Sequence, residues 1–483
     1  MSDKSDTLKE VTNFEVEEQL QETSSGEREK PTRKTSWVDL LAVFTAGCAF
    51  LSDGYQQSII SPVNNALSIS YDQYSTGNWK TMVSNSNLVA NIIGQIFFGL
   101  FVDRIGRRQG FAITTALIII GSIVAACAKG STQPHLFWML IIARGVSGTG
   151  VGGEYPCSAS AAMEAADERL GKKGKLAPFI FATNVPIAFG LPLASIVFLI
   201  VAKIWGEHNT SGIYRTCFAL GAVIPLSIFA FRWRMHHAEV YKKNSIKRKV
   251  PYILGIKRYW KSFAGVSGMW FLMDFVIYPN NVFSSVVIKI VIPKATLIQT
   301  AEWQLLLGCF AGFGALLGIV LLRWMSRKQL IIYGFLGYGL VSIIVGSAFE
   351  QLSKIPALFI IFYALMNFLI YGGPCNLQSI VASETFPTFM RGTFYGVAAG
   401  IGKAGAAVGT EVFTPIQTKL GNRYTFFVSG GVCVLGAIVV YFLVPDTTDY
   451  DLAEEDEKFN QYLKDNGWKG SMGEGEDKVE FNA

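Results

Sequence analysis

Apolar stretches of membrane-spanning length, separated by short polar connections, fill this chain from about residue 38 to residue 444. An α-helix rises ~1.5 Å per residue, so about 20 predominantly apolar residues cross the hydrocarbon core of a bilayer. On that measure the chain holds about twelve helical spans, at 38–60, 80–102, 110–128, 135–163, 176–203, 212–232, 262–288, 300–323, 328–348, 356–382, 391–416 and 424–444. The preceding segment, Met1 to about Ser36, is rich in Glu, Lys, Ser and Thr with few large apolar residues, a composition that predicts a disordered tail. From Pro445 the chain is again polar and acidic. No signal-peptide core precedes the first span, so no cleavable leader is expected.

Lys and Arg gather on the cytoplasmic side of membrane proteins, so the loops set the expected orientation. Arg104, Arg107 and Arg108 follow span two, and Arg169, Lys172, Lys173 and Lys175 follow span four. A long basic run from Arg232 to Lys261 follows span six, and Arg323, Arg327 and Lys328 follow span eight. The alternate loops are poor in basic residues, and 61–79 has none. Both termini are therefore expected in the cytoplasm, with the long basic loop facing anionic lipid headgroups. That loop divides the chain in two. The expected domains are an N-tail at 1–36, a six-helix bundle at 37–233, a basic linker at 234–261, a second six-helix bundle at 262–445 and a cytoplasmic C-tail at 446–483. The second half echoes the first in degraded form: Asp103-Arg-Ile-Gly-Arg-Arg108 after span two is matched by Arg323-Trp-Met-Ser-Arg-Lys328 after span eight, without the Asp and the Gly.

Composition agrees with an all-α polytopic membrane protein: 51% of the 483 residues are hydrophobic and only 16% are charged, against ~25% in soluble domains. The net charge of +6 sits mostly in loops and gives no reason to expect a nucleic-acid partner. All seven cysteines fall within apolar spans, with neither metal-ligand spacing nor a disulfide framework, so they read as small packing residues. No paired nucleophile and base, metal-ligand cluster or phosphate-cradling glycine loop is evident, so neither an enzyme nor a cofactor is expected.

Span seven carries an acid where a bilayer tolerates one least. Asp274 lies near the middle of an apolar run from about Phe263 to Ile288, some 15–20 Å from either end of the helix. A charge at that depth is costly and marks an ion or substrate pathway. Trp270 and Tyr278 lie four residues to either side, on the same helical face, so an indole N–H, a carboxylate and a phenol are expected to point together. Such aromatics also anchor spans at the membrane surface, but the depth of these two favours the pathway reading.

Gly94 to Arg108 forms a tight turn in which Asp103, Arg104 and Arg108 can pair with neighbouring helix ends, while Gly94 and Gly99 let span two pack closely. Glu164, at the cytoplasmic end of span four, is a candidate partner for one of these arginines. Arg144-Gly-Val-Ser-Gly148-Thr-Gly150-Val-Gly152-Gly places Arg144 inside an apolar helix. Both runs resemble signatures of the major facilitator superfamily. Gly152-Gly-Glu154-Tyr155-Pro156 resembles the Gly-Gly-acid-Tyr-Pro motif of its phosphate:proton symporter branch. That branch's Trp-x3-Asp-x3-Tyr pattern is matched by Trp270, Asp274 and Tyr278, its span-eleven Gly-Lys by Gly402-Lys403, and its span-one Asp-x-Tyr by Asp53-Gly-Tyr55. Two positions depart: Gln56 stands where the branch continues with Asp, and its Gly-Pro-Asn reads Gly373-Pro374-Cys375, with Asn376 one place later. Almost from end to end the chain is similar to the yeast glycerophosphodiester permeases, in blocks that include Ser52-Asp-Gly-Tyr55, Phe283-Ser-Ser285, Ala301-Glu-Trp-x-Leu-Leu-Leu-Gly308 and Arg391-Gly-x-Phe-Tyr-Gly396.

The resemblance implies the major facilitator fold, with twelve transmembrane helices in two six-helix bundles. It also implies proton-coupled uptake of glycerophosphoinositol, glycerophosphocholine or both across the plasma membrane by alternating access. The expected partners are the phosphodiester, a proton and the bilayer, and a monomer is expected. Carried onto this sequence, Tyr155, Trp270, Asp274, Tyr278 and Lys403 contact the phosphate, Asn184 and Asn376 are further ligands, and Asp53, Glu154 and Asp274 are linked to proton movement. Glu154 is open between that role and bracing span four through Arg144. Asp103, Arg104, Arg108, Arg144, Glu164, Glu384 and Arg391 are expected to be structural or gating residues. Lys403 is the only deep cation of spans seven to twelve, and it is expected to pair with Asp274 while the site is empty. A diester monoanion then captures Lys403, and a carboxylate whose cation is taken by another anion binds a proton more readily. Two alternatives stand beside this reading: an inorganic phosphate:proton symporter and, from another class, a nutrient sensor with little transport. Short tails and the presence of both Lys403 and Asp274 count against the sensor. Asn209-Thr-Ser211 fits the N-glycosylation pattern in an expected external loop.

Overall fold

The computed structural model describes residues 40, 43–44, 49–76, 78–105, 107–233, 250–448, 450–472 and 479–481. The N-terminal tail and most of the basic linker lie outside the described residues, as do the side chains of Asp103, Arg104 and Arg108. Twelve spans are formed by Ala49–Ser58 with Ile60–Ser70 (one), Trp79–Ile105 (two), Arg107–Ala126 (three), Gln133–Gly174 (four), Leu176–Ala182 with Asn184–Trp205 (five), Thr210–Trp233 (six), Tyr252–Val282 with Ser284–Val291 (seven), Leu297–Leu321 (eight), Arg327–Ser347 (nine), Pro356–Gly372 with Pro374–Thr385 (ten), Arg391–Lys419 (eleven) and Asn422–Leu443 (twelve). Eight stretches are long and apolar enough to cross a membrane, or nine with the bent pair of span seven counted as one. Spans one, six and eleven complete the set. Span eleven is Gly-rich and carries Arg391, Lys403, Glu411 and Lys419, which lowers its hydropathy.

Two corrections to the sequence reading concern helix extent. Span one does not stop at residue 60: its helix runs on to Ser70, because Ser61, Asn64 and Asn65 are buried polar positions rather than loop. Span seven begins at Tyr252 rather than residue 262. Lys257, Arg258 and Lys261 make its first turns too polar to read as membrane, yet Tyr259 on them is buried. The acidic tail holds a further helix, Leu452–Asp465, and a two-stranded antiparallel hairpin, Gly470–Met472 with Val479–Phe481. Asp451 caps that helix by accepting from Ala453 N at 3.0 Å, and its charges follow the helix dipole, with Glu454 and Glu455 in the first turn and Lys464 in the last. Its apolar residues Phe459 and Leu463 pack with Tyr259, Phe386 and Phe389. Asp456 accepts from Thr388 N at 2.7 Å and Thr388 Oγ1 at 2.5 Å; burial pushes its carboxyl up, against the opposing pull of Arg391 and these bonds.

Four spans break, span one at Ile59 and spans five, seven and ten at places where the chain supplies a cause. Pro186 has no N–H to return to Ala182, and span five is interrupted between them at Thr183. Pro279 likewise frees a carbonyl in span seven, whose two pieces meet at 53° across Phe283. The helix of span ten ends at Gly373, directly before Pro374, since a residue preceding proline is driven from the helical region.

The halves meet along two crossings, span two on span eleven and span five on span eight. Gly94 lies against Thr149 O of span four and Gly99 against Gly392 and Gly396 of span eleven, so span two is held closely on both sides. At the end carrying the basic loops, Thr393 Oγ1 donates to Gly99 O at 3.2 Å. There Glu384 lies 2.5 Å from Arg327 Nη1 and 3.9 Å from Lys175 Nζ, and Glu164 lies 3.9 Å from Arg391 Nη1. At the opposite end Asn85 Nδ2 donates to Glu411 Oε1 at 2.6 Å, Leu297 N to Glu207 Oε2 at 3.1 Å, and Ser61 Oγ to Val282 O at 3.3 Å. Contacts thus join the two halves at both ends.

Candidate functional site

The centre of the molecule is built where spans seven and eleven lie face to face. An added Cβ at Gly405 would sit 2.2 Å from Phe271 O, and one at Gly409 would sit 2.3 Å from Phe275 O, so only glycine permits this approach. That contact brings two buried charges together. Lys403 Nζ donates to Asp274 Oδ2 at 3.1 Å and to the Tyr278 hydroxyl at 2.5 Å. The ammonium also lies 4.3 Å from the ring centroid of Tyr278 and 5.1 Å from that of Tyr155, which comes from the other half. A cation held by one carboxylate and two aromatic faces is compensated but not saturated, and an incoming anion can compete for it.

A cavity opens beside this pair, and its lining includes Tyr155, Asn184, Asp274, Tyr278, Asn376 and Lys403. Asn184 and Asn376 each stand within three residues after a helix break, the place where a discontinuous helix offers polar groups to a cavity. A relay fixes Asn184: Tyr395 OH donates to Ser379 Oγ at 3.0 Å, and Ser379 Oγ to Asn184 Oδ1 at 3.0 Å. Asn376 Nδ2 donates to Ala315 O at 2.9 Å, while its buried Oδ1 has no partner among the described residues.

Trp270 is placed differently from the expectation that it points with Asp274 and Tyr278. It is buried outside the cavity lining, its ring edge-on to Tyr395 at 5.1 Å and beside Gly402. Asp53 lies within electrostatic reach of Lys403 and Asp274, and Gln57 Nε2 donates to its Oδ1. Glu154 is away from the cavity, among hydroxyls of spans three and four: Thr114 Oγ1 at 2.9 Å, Thr115 Oγ1 at 3.2 Å and Ser158 Oγ at 2.9 Å. Arg144 Nε donates to Val83 O at 3.1 Å and its guanidinium lies 5.7 Å from the Phe218 ring, which ties span four to spans two and six.

The two departures from the motif pattern have structural explanations. Gln56 turns outward from the centre and donates to Ser122 Oγ at 2.7 Å and Gly221 O at 3.1 Å. Its neighbour Gln57, which the sequence reading passed over, receives the Tyr278 hydroxyl and binds Asp53. The signal was present: Gln57 stands four residues after Asp53, the same spacing that flagged Trp270 and Tyr278 around Asp274. Cys375 lines the cavity beside Asn376, with Sγ 3.6 Å from Met273 Sδ. Tyr371 and Gln378 also line it and were likewise missed.

Comparison with known proteins places these features in a family. The sugar (and other) transporter family matches residues 38–459. The glycerophosphoinositol transporter 1 of Saccharomyces cerevisiae is 42% identical over 450 residues, covering 92% of this chain and 86% of the relative. The glycerophosphoinositol permease 1 of Candida albicans is 44% identical over 438 residues, covering 90% and 84%. Among solved structures, the proton:xylose symporter XylE bound to 6-bromo-6-deoxy-D-glucose superposes with a TM-score of 0.71 at 19% identity, over 87% of this chain and 99% of that one, a likeness of fold. On fold, sequence and the charged pair at the centre of two six-helix halves, the chain belongs to the sugar (and other) transporter family of the major facilitator superfamily and is a membrane transporter rather than an enzyme.

Proposed function

We propose that this transporter carries glycerophosphodiesters, glycerophosphoinositol, glycerophosphocholine or both, into the cell across the plasma membrane together with a proton. The observation that carries the reading is the buried Lys403–Asp274 pair on the wall of a cavity that also holds Tyr155, Tyr278, Asn184 and Asn376. In the empty carrier each charge compensates the other. A diester monoanion entering the cavity takes Lys403 for itself, with the Tyr155 and Tyr278 hydroxyls as donors to the phosphate oxygens. Asp274, left as an uncompensated buried carboxylate, takes a proton. The loaded carrier then holds two neutralised sites and turns over, and release on the other side restores the ion pair. Asp53 is the second carboxylate near the pair and the next candidate for the proton, while Glu154, enclosed by hydroxyls away from the cavity, fits a structural role better. The basic loops face the cytoplasm in this reading, and the transporter works as a monomer without a cofactor.

The test is an uptake panel in a strain lacking its own permeases, using labelled glycerophosphoinositol, glycerophosphocholine and inorganic phosphate. Saturable uptake of at least one diester, with phosphate a weak competitor, is the expected result. Phosphate uptake that the diesters do not inhibit would make this an inorganic phosphate symporter. Surface expression without uptake of any of the three would favour a sensor.

A further inference from the structure

We propose that a second cavity, adjoining the charged one, is the headgroup subsite, and that it selects an uncharged polyol over a quaternary ammonium. This rests on the diester reading above. The cavity is lined by spans one, five, seven, eight and ten. Its polar wall includes Gln57, Ser61, Asn281, Ser284, Gln304 and Asn367, and its remaining lining is Ser, Leu and Pro, with no ionisable or aromatic side chain. Gln57 stands at the join: it lines this cavity while accepting from Tyr278, which lines the other. A diester has two ester arms on one phosphate. With the phosphate at Lys403, an arm passing Tyr278 and Gln57 enters this second space.

The chemistry of the wall decides what the arm carries. Amides and hydroxyls both donate and accept, as do the hydroxyls of an inositol or glycerol ring or chain. A trimethylammonium group needs carboxylates or aromatic faces to replace its hydration, and the wall has neither. Gln304 supplies the independent sign of a ligand. Its Nε2 donates to Ser61 Oγ at 2.8 Å and Ser284 Oγ at 2.9 Å, yet its buried Oε1 has no partner among the described residues. The residue is 7% exposed and lines the cavity, so this oxygen is a buried acceptor. A sugar hydroxyl is the group that completes it. The same Gln304 and Ser284 reach Ser61 of the other half, so a polyol seated there adds to the contacts that join the halves at this end.

Competition uptake tests the subsite. In the wild type, unlabelled glycerophosphoinositol should inhibit diester uptake at about a tenfold lower concentration than glycerophosphocholine. Gln304→Leu removes the acceptor and both donated bonds. It should raise the KM for glycerophosphoinositol about tenfold or more, and by a clearly larger factor than that for glycerophosphocholine. Ser284→Ala, a smaller change for use if the leucine variant does not reach the surface, should narrow the same ratio about threefold. A wild type that prefers the choline ester, or variants that raise both KM values equally, would overturn the subsite while leaving diester transport standing. Absence of any diester uptake by the wild type would remove both readings.

Discussion

Lys403 and Asp274 form a couple in which neither residue has a stable place without the other. Both are buried and they come from different helices, so removing either leaves an uncompensated charge at a cost of about 3–5 kcal/mol. Lys403→Ala deletes the only cation on the cavity wall and is expected to reduce uptake by roughly a hundredfold or more while surface expression is kept. Near-normal uptake at normal surface level would remove Lys403 from the site. Asp274→Asn imitates the protonated carboxyl at the same size. It should bind substrate and support exchange of internal for external substrate, because Lys403 remains free for the phosphate. It should not concentrate substrate, because no proton leaves on the inner side and the unpaired Lys403 resists the empty return. Paired measurements of net uptake and counterflow decide the matter: concentrative uptake that persists would move the proton to Asp53, and loss of counterflow as well would make Asp274 a ligand or a brace.

The elements place these residues through close packing and local breaks. Span eleven reaches span seven only because Gly405 and Gly409 present no side chain to the carbonyls of Phe271 and Phe275. Gly405→Val is therefore expected to force the helices apart, lower stability by about 1–3 kcal/mol and abolish uptake by separating Lys403 from Asp274. A thermal-shift assay on detergent-purified protein, together with uptake, checks both effects, and an unchanged melting temperature would contradict the packing argument. Asn184 and Asn376 depend on a different device, the helix interruptions at Thr183 and Gly373. The helix Leu452–Asp465 shows that a polar acidic segment can still dock, because its apolar residues share one face and Asp456 finds the Thr388 donors.

At the scale of the whole molecule, contacts join the two halves at both ends, on either side of the central pair. The basic end is held by Glu384 between Arg327 and Lys175 and by Thr393 on Gly99, the other end by Asn85 on Glu411 and Ser61 on Val282. A carrier of this kind is driven by what it binds, and the proposed proton sets a direction. Uptake should rise as external pH falls from about 7 to about 5 and collapse with a protonophore. A phosphodiester keeps one negative charge over that range, so the dependence has to arise in the protein or the gradient and not in the substrate. Uptake indifferent to a protonophore would make the transport facilitated diffusion.

Sequence alone determined the class, the number of spans, the division into halves and the buried acid and cation, because each of these is written in local composition and in charges that a bilayer disfavours. It also carried the i,i+4 arrangement on span seven, since helical periodicity is a property of the chain itself. The partner of each residue was decided by tertiary structure. Gln56 and Gln57 are neighbours of equal chemistry, yet one packs between helices and the other bridges Asp53 and Tyr278, and only the rotation of span one separates them. Trp270 shares a face with Asp274 in the helix but meets Tyr395 of span eleven, so the neighbouring helix and not the spacing set its role. The second cavity has no motif at all: its amides and hydroxyls come from five spans far apart in the chain, and neutral polar residues carry no spacing signal until packing brings them together.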